Sequence, residues 1–304
     1  MASGFNFNFM QYRKIAMIIS LVLLVISIAS LGVRQLNLGL DFTGGTLLEV
    51  GYEQPADLDK IRGQLTNAGF EDATVQFFGS ETDVLIRMSE AFRDTLGAEV
   101  LEGLRADGDQ VELLRSEFVG GQVGEELRDQ GGIALLLALA VVMMYVAARF
   151  QFKFSVGAVA ALFHDVVIVI GLFSIFQWDF DLTVFAALLA VIGYSLNDTI
   201  VVSDRIRENF RVMRVGGAME VINTSLNQTL GRTIITSLTT ALVLVALMIF
   251  GGEAIHNFAK GLFIGVIVGT YSSIYVAANI LMMMNITRED LLPPELEEEV
   301  DDRP

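Results

Sequence analysis

The sequence predicts an α-helical integral membrane protein of six spans, with a folded α+β domain inserted between the first span and the second. Three observations predict it. Hydrophobic residues fill 53% of the 304 positions and charged residues only 18%, a balance unlike that of an ordinary soluble domain. Six runs are apolar over roughly the 20 residues that a helix needs to cross a bilayer core. Acidic charge is segregated: residues 34–130 carry 20 acids against 8 bases, and residues 288–304 carry 8 against 2, so one insert and one tail account for the whole formal −16 and the rest of the chain is slightly basic. Such a distribution argues against nucleic acid as a partner. The chain has no cysteine and two histidines, which excludes disulfides, thiolate chemistry and Cys-based metal sites and leaves no expected metal centre.

Residues 1–14 form a short leading segment, and Arg13 and Lys14 precede the first span at 15–33, which is long enough to be an uncleaved anchor. The insert, 34–130, is large enough to bury its own core. Residues 38–52 read as extended, with Gly44 and Gly45 supplying a bend, and 55–68 read as a helix stopped by Gly69. Residues 73–78 and 83–88 read as strands around a Gly-Ser-Glu-Thr turn. Ser89 is the expected cap of a helix through Phe92, Leu96, Val100 and Leu104, and 111–119 closes the series as a strand. The order β-α-β-β-α-β is that of a ferredoxin-like split unit.

The remaining spans are expected at 131–148, 154–177, 182–203, 233–252 and 261–284, with a loop at 204–232 and an acidic tail at 285–304. Lys and Arg cluster beside alternate connections: Arg149 and Lys153, then Arg205, Arg207, Arg211, Arg214 and Arg232, while 178–181 and 253–258 have none. Basic connections stay on the cytoplasmic side, so both termini are expected there and the insert on the other side. Gly261, Gly265 and Gly269 recur every four residues, the spacing at which a span receives a close helix neighbour.

Ionisable residues inside a bilayer cost at least a few kcal/mol and so mark candidate sites. Asp165, beside His164, falls near the middle of the third span; Asp198, beside Asn197, falls in the cytoplasmic half of the fourth. Arg232 opens the fifth and leads into the hydroxyls Thr233, Thr236, Ser237, Thr239 and Thr240. Span four ends on the side where span five begins, so Asp198 and Arg232 lie at similar depth. A carboxylate beside a cation can take up and release a proton as hydration changes, the chemistry of a proton relay, and the same pair would serve equally as a static lock. Asp165 reads either as a further relay group or as a carboxyl satisfied by its neighbours, and Asn197 and Thr236 complete the candidates. No His-Glu-x-x-His and no phosphate-loop spacing occurs, so metalloprotease and nucleotide-hydrolysis readings have no support.

Leu40-Asp-Phe-Thr-Gly-Gly-Thr46, Val119-Gly-Gly-Gln-Val-Gly-Glu-Glu-Leu127, His164-Asp-Val166, Gly193-Tyr-Ser-Leu-Asn-Asp-Thr-Ile-Val-Val-Ser-Asp-Arg-Ile-Arg-Glu208 and Gln228-Thr-Leu-Gly-Arg-Thr233 together resemble the SecF family, within the SecD/SecF group of the resistance-nodulation-division (RND) superfamily. The resemblance implies an RND-type half of six spans in the bacterial inner membrane, with a periplasmic domain between spans one and two. It implies SecD as the paired subunit, the SecYEG channel and YajC as associates, and a translocating preprotein as client. It implies use of the proton-motive force to promote late steps of export, with Asp198 and Arg232 in the proton path and no enzyme activity or cofactor. For Asp41, Gly44 and Gly45 it implies a structural signature at the base of the insert. A half-transporter for lipids or small molecules, and a purely structural assembly subunit, are the competing readings.

Overall fold

The computed structural model describes residues 6–89, 93–213 and 216–291. Phe92, Arg214 and the tail beyond Leu291 lie outside the described residues. A single 3-10 turn, Phe9–Tyr12, leads into α1, Arg13–Val33. The chain then forms β1, Asn37–Leu38; α2, Leu40–Thr43; β2, Gly45–Tyr52; α3, Leu58–Asn67; β3, Thr74–Phe78; β4, Ser80–Met88; α4, Leu96–Arg105; and β5, Val111–Val119. Five long helices and a short strand follow: α5, Gly121–Arg149; α6, Phe152–Phe176; β6, Asp179–Phe180; α7, Leu182–Val212; α8, Ala218–Phe250; and α9, Glu253–Met283. Among the described residues, counting α1, and α9 from Ala254, six helices are long and apolar enough to cross a membrane.

The insert folds as an antiparallel sheet in the order β3-β4-β2-β5. Strand alternation puts Leu48, Val50, Val75, Val84, Ile86 and Val111 on one face, where they bury against Ile61 and Leu65 of α3 and Val100 and Leu104 of α4. Asp57 starts α3 by accepting the Asp59 and Lys60 amides at 3.0 and 3.3 Å. Two details depart from expectation. Residues 93–95 are not helical, so α4 starts at Leu96 rather than from a Ser89 cap. The extended run expected over 38–52 is interrupted by α2, because Gly44 and Gly45 adopt φ of +68° and +117° and turn the chain before β2 begins.

In the bundle, α9 packs on both α6 and α7, and α1 packs on α6. The glycine ladder faces α7: a Cβ on Gly261 would lie 3.4 Å from Ala187, one on Gly265 would run into Val191, and one on Gly269 would lie 3.0 Å from Ser195. Two four-residue ladders thus interdigitate, and the α7 and α9 backbones approach closely because one side of the seam has no side chains. By contrast α5 and α8 present many exposed apolar side chains, among them Leu136, Met144, Ile235 and Leu242. The expected loop over 204–232 is largely helix: α7 runs on to Val212 and α8 begins at Ala218. These polar extensions are zipped by Asn209, which donates to Ser225 and Gln228, and by Arg205, which donates to Gln228. A count of apolar residues alone stops where the membrane would and misses such helical continuation.

Candidate functional site

The two buried intramembrane carboxylates have opposite surroundings. Asp165 on α6 is 0% exposed and fully engaged. Its Oδ2 accepts from Ser195 on α7 and, at 2.7 Å, from Ser272 on α9, while its Oδ1 lies 2.9 Å from His164 Nδ1. One carboxylate therefore clasps three helices next to the Gly269 end of the ladder. Satisfied by several donors, such a group is a stable brace at its depth. Tyr271 packs its ring against His164 and donates to the Ala16 carbonyl, which extends the clasp to α1.

Asp198 lies one turn along α7 from Ser195 and is also buried, at 3% exposure, yet its Oδ2 has no hydrogen-bond partner. Thr199 Oγ1 and Thr233 Oγ1 are buried and unpartnered as well. Arg232 is exposed; it is near enough to act electrostatically on Asp198 but forms no ion pair with it within 4.0 Å. The static lock weighed from the sequence is therefore absent from this conformation. Asn197 is exposed, and Thr236 spends its hydroxyl on the Arg232 and Thr233 carbonyls of its own helix. Asp198 thus has an uncompensated carboxyl oxygen with a guanidinium near it, and the idle hydroxyls belong to the next residue, Thr199, and to Thr233, the neighbour of Arg232 on α8. Leaving buried polar groups unpaired costs ~1–3 kcal/mol each, so the site has reason to take up water or a proton. Among the described residues no cluster of metal-ligating side chains forms.

The other end of α7 is held by the insert. Asp181 caps the helix by accepting from Val184 N at 2.9 Å, and Asp41 of α2 accepts from Leu182 N at 2.9 Å, so two carboxylates face the positive end of one helix dipole. Strand β1 pairs in parallel with β6, and the Gly39 amide donates to the Phe180 carbonyl at 2.8 Å. Asp179 of β6 accepts from Asn37 at 2.6 Å, Gln76 at 2.9 Å and Arg87 at 3.2 Å, tying β1, β3 and β4 to the α6–α7 connection. Gly44 and Gly45 lie where β2 and the start of α5 meet: a Cβ on Gly44 would lie 2.5 Å from Gly121 Cα. Sequence reading singled out Asp41, Gly44 and Gly45 but not Asp179, Arg87, Ser195 or Ser272, which carry no local pattern and acquire partners only in three dimensions.

Residues 99–287 match the family described as protein export membrane protein SecD/SecF, C-terminal, and residues 29–56 match the SecD/SecF GG motif. The second match contains Asp41, Gly44 and Gly45. The protein translocase subunit SecF of Pseudomonas aeruginosa is 55% identical over 299 residues, spanning 98% of this chain and 97% of the relative. Those of Vibrio alginolyticus and Escherichia coli O157:H7 are 50% and 46% identical over 96% and 98% of the chain, and 94% of each relative. The crystal structure of SecDF from Thermus thermophilus, a translocon-associated membrane protein, superposes with a TM-score of 0.85 at 37% identity, covering 93% of this chain and 39% of that one. SecDF in its super-membrane-facing form gives 0.70 over the same share. With family models over more than half its length and relatives this similar from end to end, the chain belongs to the SecF family of protein translocase subunits, within the SecD/SecF group of export membrane proteins.

Proposed function

We propose that this chain is the smaller subunit of an accessory complex of the Sec export machinery and that, with SecD, it uses the proton-motive force to promote late steps of preprotein translocation across the bacterial inner membrane. The observation that carries the mechanism is Asp198: a buried carboxyl with an unpartnered oxygen and a guanidinium near it but not bonded to it. Protonation neutralises the group and lets it stay buried; deprotonation demands water or a closer Arg232. One charge crossing ~100 mV supplies ~2.3 kcal/mol, so a few protons match a domain displacement of several kcal/mol. Asp165, satisfied on all sides, braces the α6, α7 and α9 block that this site works against. In this reading the exposed apolar faces of α5 and α8, beside Asn197 and Arg232, are where SecD packs.

In this reading both termini are cytoplasmic, following the basic connections, and the insert is a periplasmic ferredoxin-like module, in keeping with its strand order. SecYEG, YajC and the emerging preprotein are the further partners. No covalent step, cofactor or metal is needed. The test is proton-motive-force-dependent export of a precursor in vesicles holding SecD and this chain, wild type against Asp198→Asn at matched complex levels. Asparagine keeps size and hydrogen bonding but does not titrate. Loss of the force-dependent component with normal assembly supports the relay; unchanged export overturns it and leaves a structural subunit.

A further inference from the structure

On the insert side of Asp198 three hydroxyls from three helices form one chain. Tyr194 of α7 donates to Ser237 of α8 at 3.2 Å, and Ser237 lies 2.7 Å from Thr270 of α9, whose own hydroxyl also reaches the Val266 carbonyl. The Tyr194–Ser237 bond sets the register of the antiparallel pair α7 and α8. Moving one turn along each helix, forward on α7 and back on α8, brings Asp198 opposite Thr233, with Arg232 next to it. The two buried, unpartnered oxygens, Asp198 Oδ2 and Thr233 Oγ1, therefore lie one turn, about 6 Å of helix rise, from the hydroxyl chain. Further toward the insert, Tyr194 packs against an apolar cluster of Leu244, Ala259 and Val266 with Leu247, Leu262 and Phe263. This apolar cluster lies between the hydroxyl chain and the insert side.

We propose that Tyr194, Ser237 and Thr270 are the proton-conducting step between Asp198 and the insert side of the membrane. The proposal rests on the relay reading of Asp198 and adds the groups through which that carboxyl exchanges its proton. Each member is a hydroxyl, able to accept on a lone pair while donating its hydrogen, which a conducting chain requires and a carbonyl or ammonium does not offer. In the present arrangement Tyr194 donates away from Asp198. For inward transfer the three O–H bonds turn: Thr270 takes a proton from water admitted when the apolar cluster parts, and gives its own to Ser237. Ser237 gives its proton to Tyr194, and Tyr194 passes one through water at Thr233 to the Asp198 carboxylate. Each hydroxyl oxygen loses one O–H bond as it gains another, and the net change is one proton moved onto Asp198. The apolar cluster keeps the chain from leaking while it is closed.

The test uses the complex of this chain with SecD in vesicles, with Tyr194→Phe, Ser237→Ala, Ser237→Thr and Thr270→Val measured beside Asp198→Asn. Each of the first two removes a single hydroxyl. Readouts are co-purification of the complex, the export that proceeds without a proton-motive force, the force-dependent rate, and that rate in D2O. The expected result is a force-dependent rate lowered at least fivefold in Tyr194→Phe and Ser237→Ala with assembly and force-independent export unchanged, and recovery in Ser237→Thr, which restores a hydroxyl. If Asp198→Asn abolishes the force-dependent rate while the hydroxyl variants all match wild type, the conducting step is overturned and the relay stands. If Ser237→Thr is as slow as Ser237→Ala, packing rather than conduction explains the loss and the proposal is overturned. If Asp198→Asn is itself without effect, relay and conducting step fall together.

Discussion

Replacing Gly44 by alanine should damage this protein, while the same change at Gly121, in the neighbouring motif, should not. Gly44 has φ 68° and ψ 177°, a region reserved almost wholly for glycine, where a side chain costs ~1–3 kcal/mol. Its Cβ would lie 2.5 Å from Gly121 Cα and 2.8 Å from Gly121 N. Both are backbone atoms at the start of α5, so relief requires moving a helix end rather than turning a side chain, at a further ~1–3 kcal/mol. The sum, about 2–6 kcal/mol, is a large part of a typical folding stability of ~5–15 kcal/mol. Gly121 provides the control: nothing lies within 4 Å of its Cβ and it is the first residue of α5, so Gly121→Ala should be neutral or stabilising by about 0.4–1 kcal/mol. Denaturation of the purified chain in detergent, followed by circular dichroism and by the emission of its single tryptophan, Trp178, measures both. A Gly44→Ala midpoint within error of wild type would refute the argument that the motif is glycine because the join of insert and α5 has room for nothing else.

Two further outcomes follow from the same geometry. Asp179→Ala removes the acceptor shared by Arg87, Gln76 and Asn37, with the ion-paired side chains only 19% and 18% exposed; at about 2–4 kcal/mol the insert should undock readily, raising exchange of the Gly39 amide at least tenfold, and unchanged protection would sink the latch. Asp290 accepts from Lys153 Nζ at 2.6 Å and from Thr287 N at 2.7 Å, and these contacts, Lys153 first, hold its carboxyl below the usual range. A depressed folded pKa contributes stability above the unfolded value of ~4 and loses it as pH falls through the folded value, so protection of the Leu291 amide, buried beneath this contact, should fall on acidification by a factor corresponding to ~1 kcal/mol or less. In Asp290→Asn that protection should already be reduced and independent of pH over the same interval.

How much was legible from the sequence depended on the range of the interaction. Apolar runs announced six membrane helices, and the shorter apolar-rich runs at 73–78 and 83–88 around a turn, closed by 111–119, announced three strands of the insert, because run length and flanking turn residues are local signals. The glycine ladder announced a close neighbour but not which one; that α7 supplies Ala187, Val191 and Ser195 at matching spacing is a tertiary fact. Asp165 was visible as a charge in hydrocarbon, yet serines are ordinary in membrane helices, so Ser195 and Ser272 gave no sign that they would satisfy it. Strands β1 and β6 are two residues each, too short to carry a period, and Asp179 in a four-residue connection looked like any polar turn residue. Depth arithmetic placed Asp198 beside Arg232, but only side-chain geometry shows that they do not bond.

The contrast between the two buried carboxylates explains why one suits a structural role and the other a switching one. A group bonded as Asp165 is holds three helices together, and its removal would strand two serine hydroxyls and a histidine in the core. Asp198 has no such commitment, so its protonated and deprotonated forms differ mainly in how much water, and how much of Arg232, the site draws in. That difference acts on α7, a helix backed along its length by α9 through the glycine seam. Asp198 lies 16 residues from Leu182, about 24 Å along the axis, and at that far end Asp41 and Asp181 fasten the same helix to the insert. In the relay proposed above, a small tilt or slide of α7 that rehydrates Asp198 would be delivered at the Asp41 cap and the Asp179 cluster, because one continuous helix joins the two points. The insert is thus latched to the helix that also carries Asp198, whose Oδ2 has no hydrogen-bond partner.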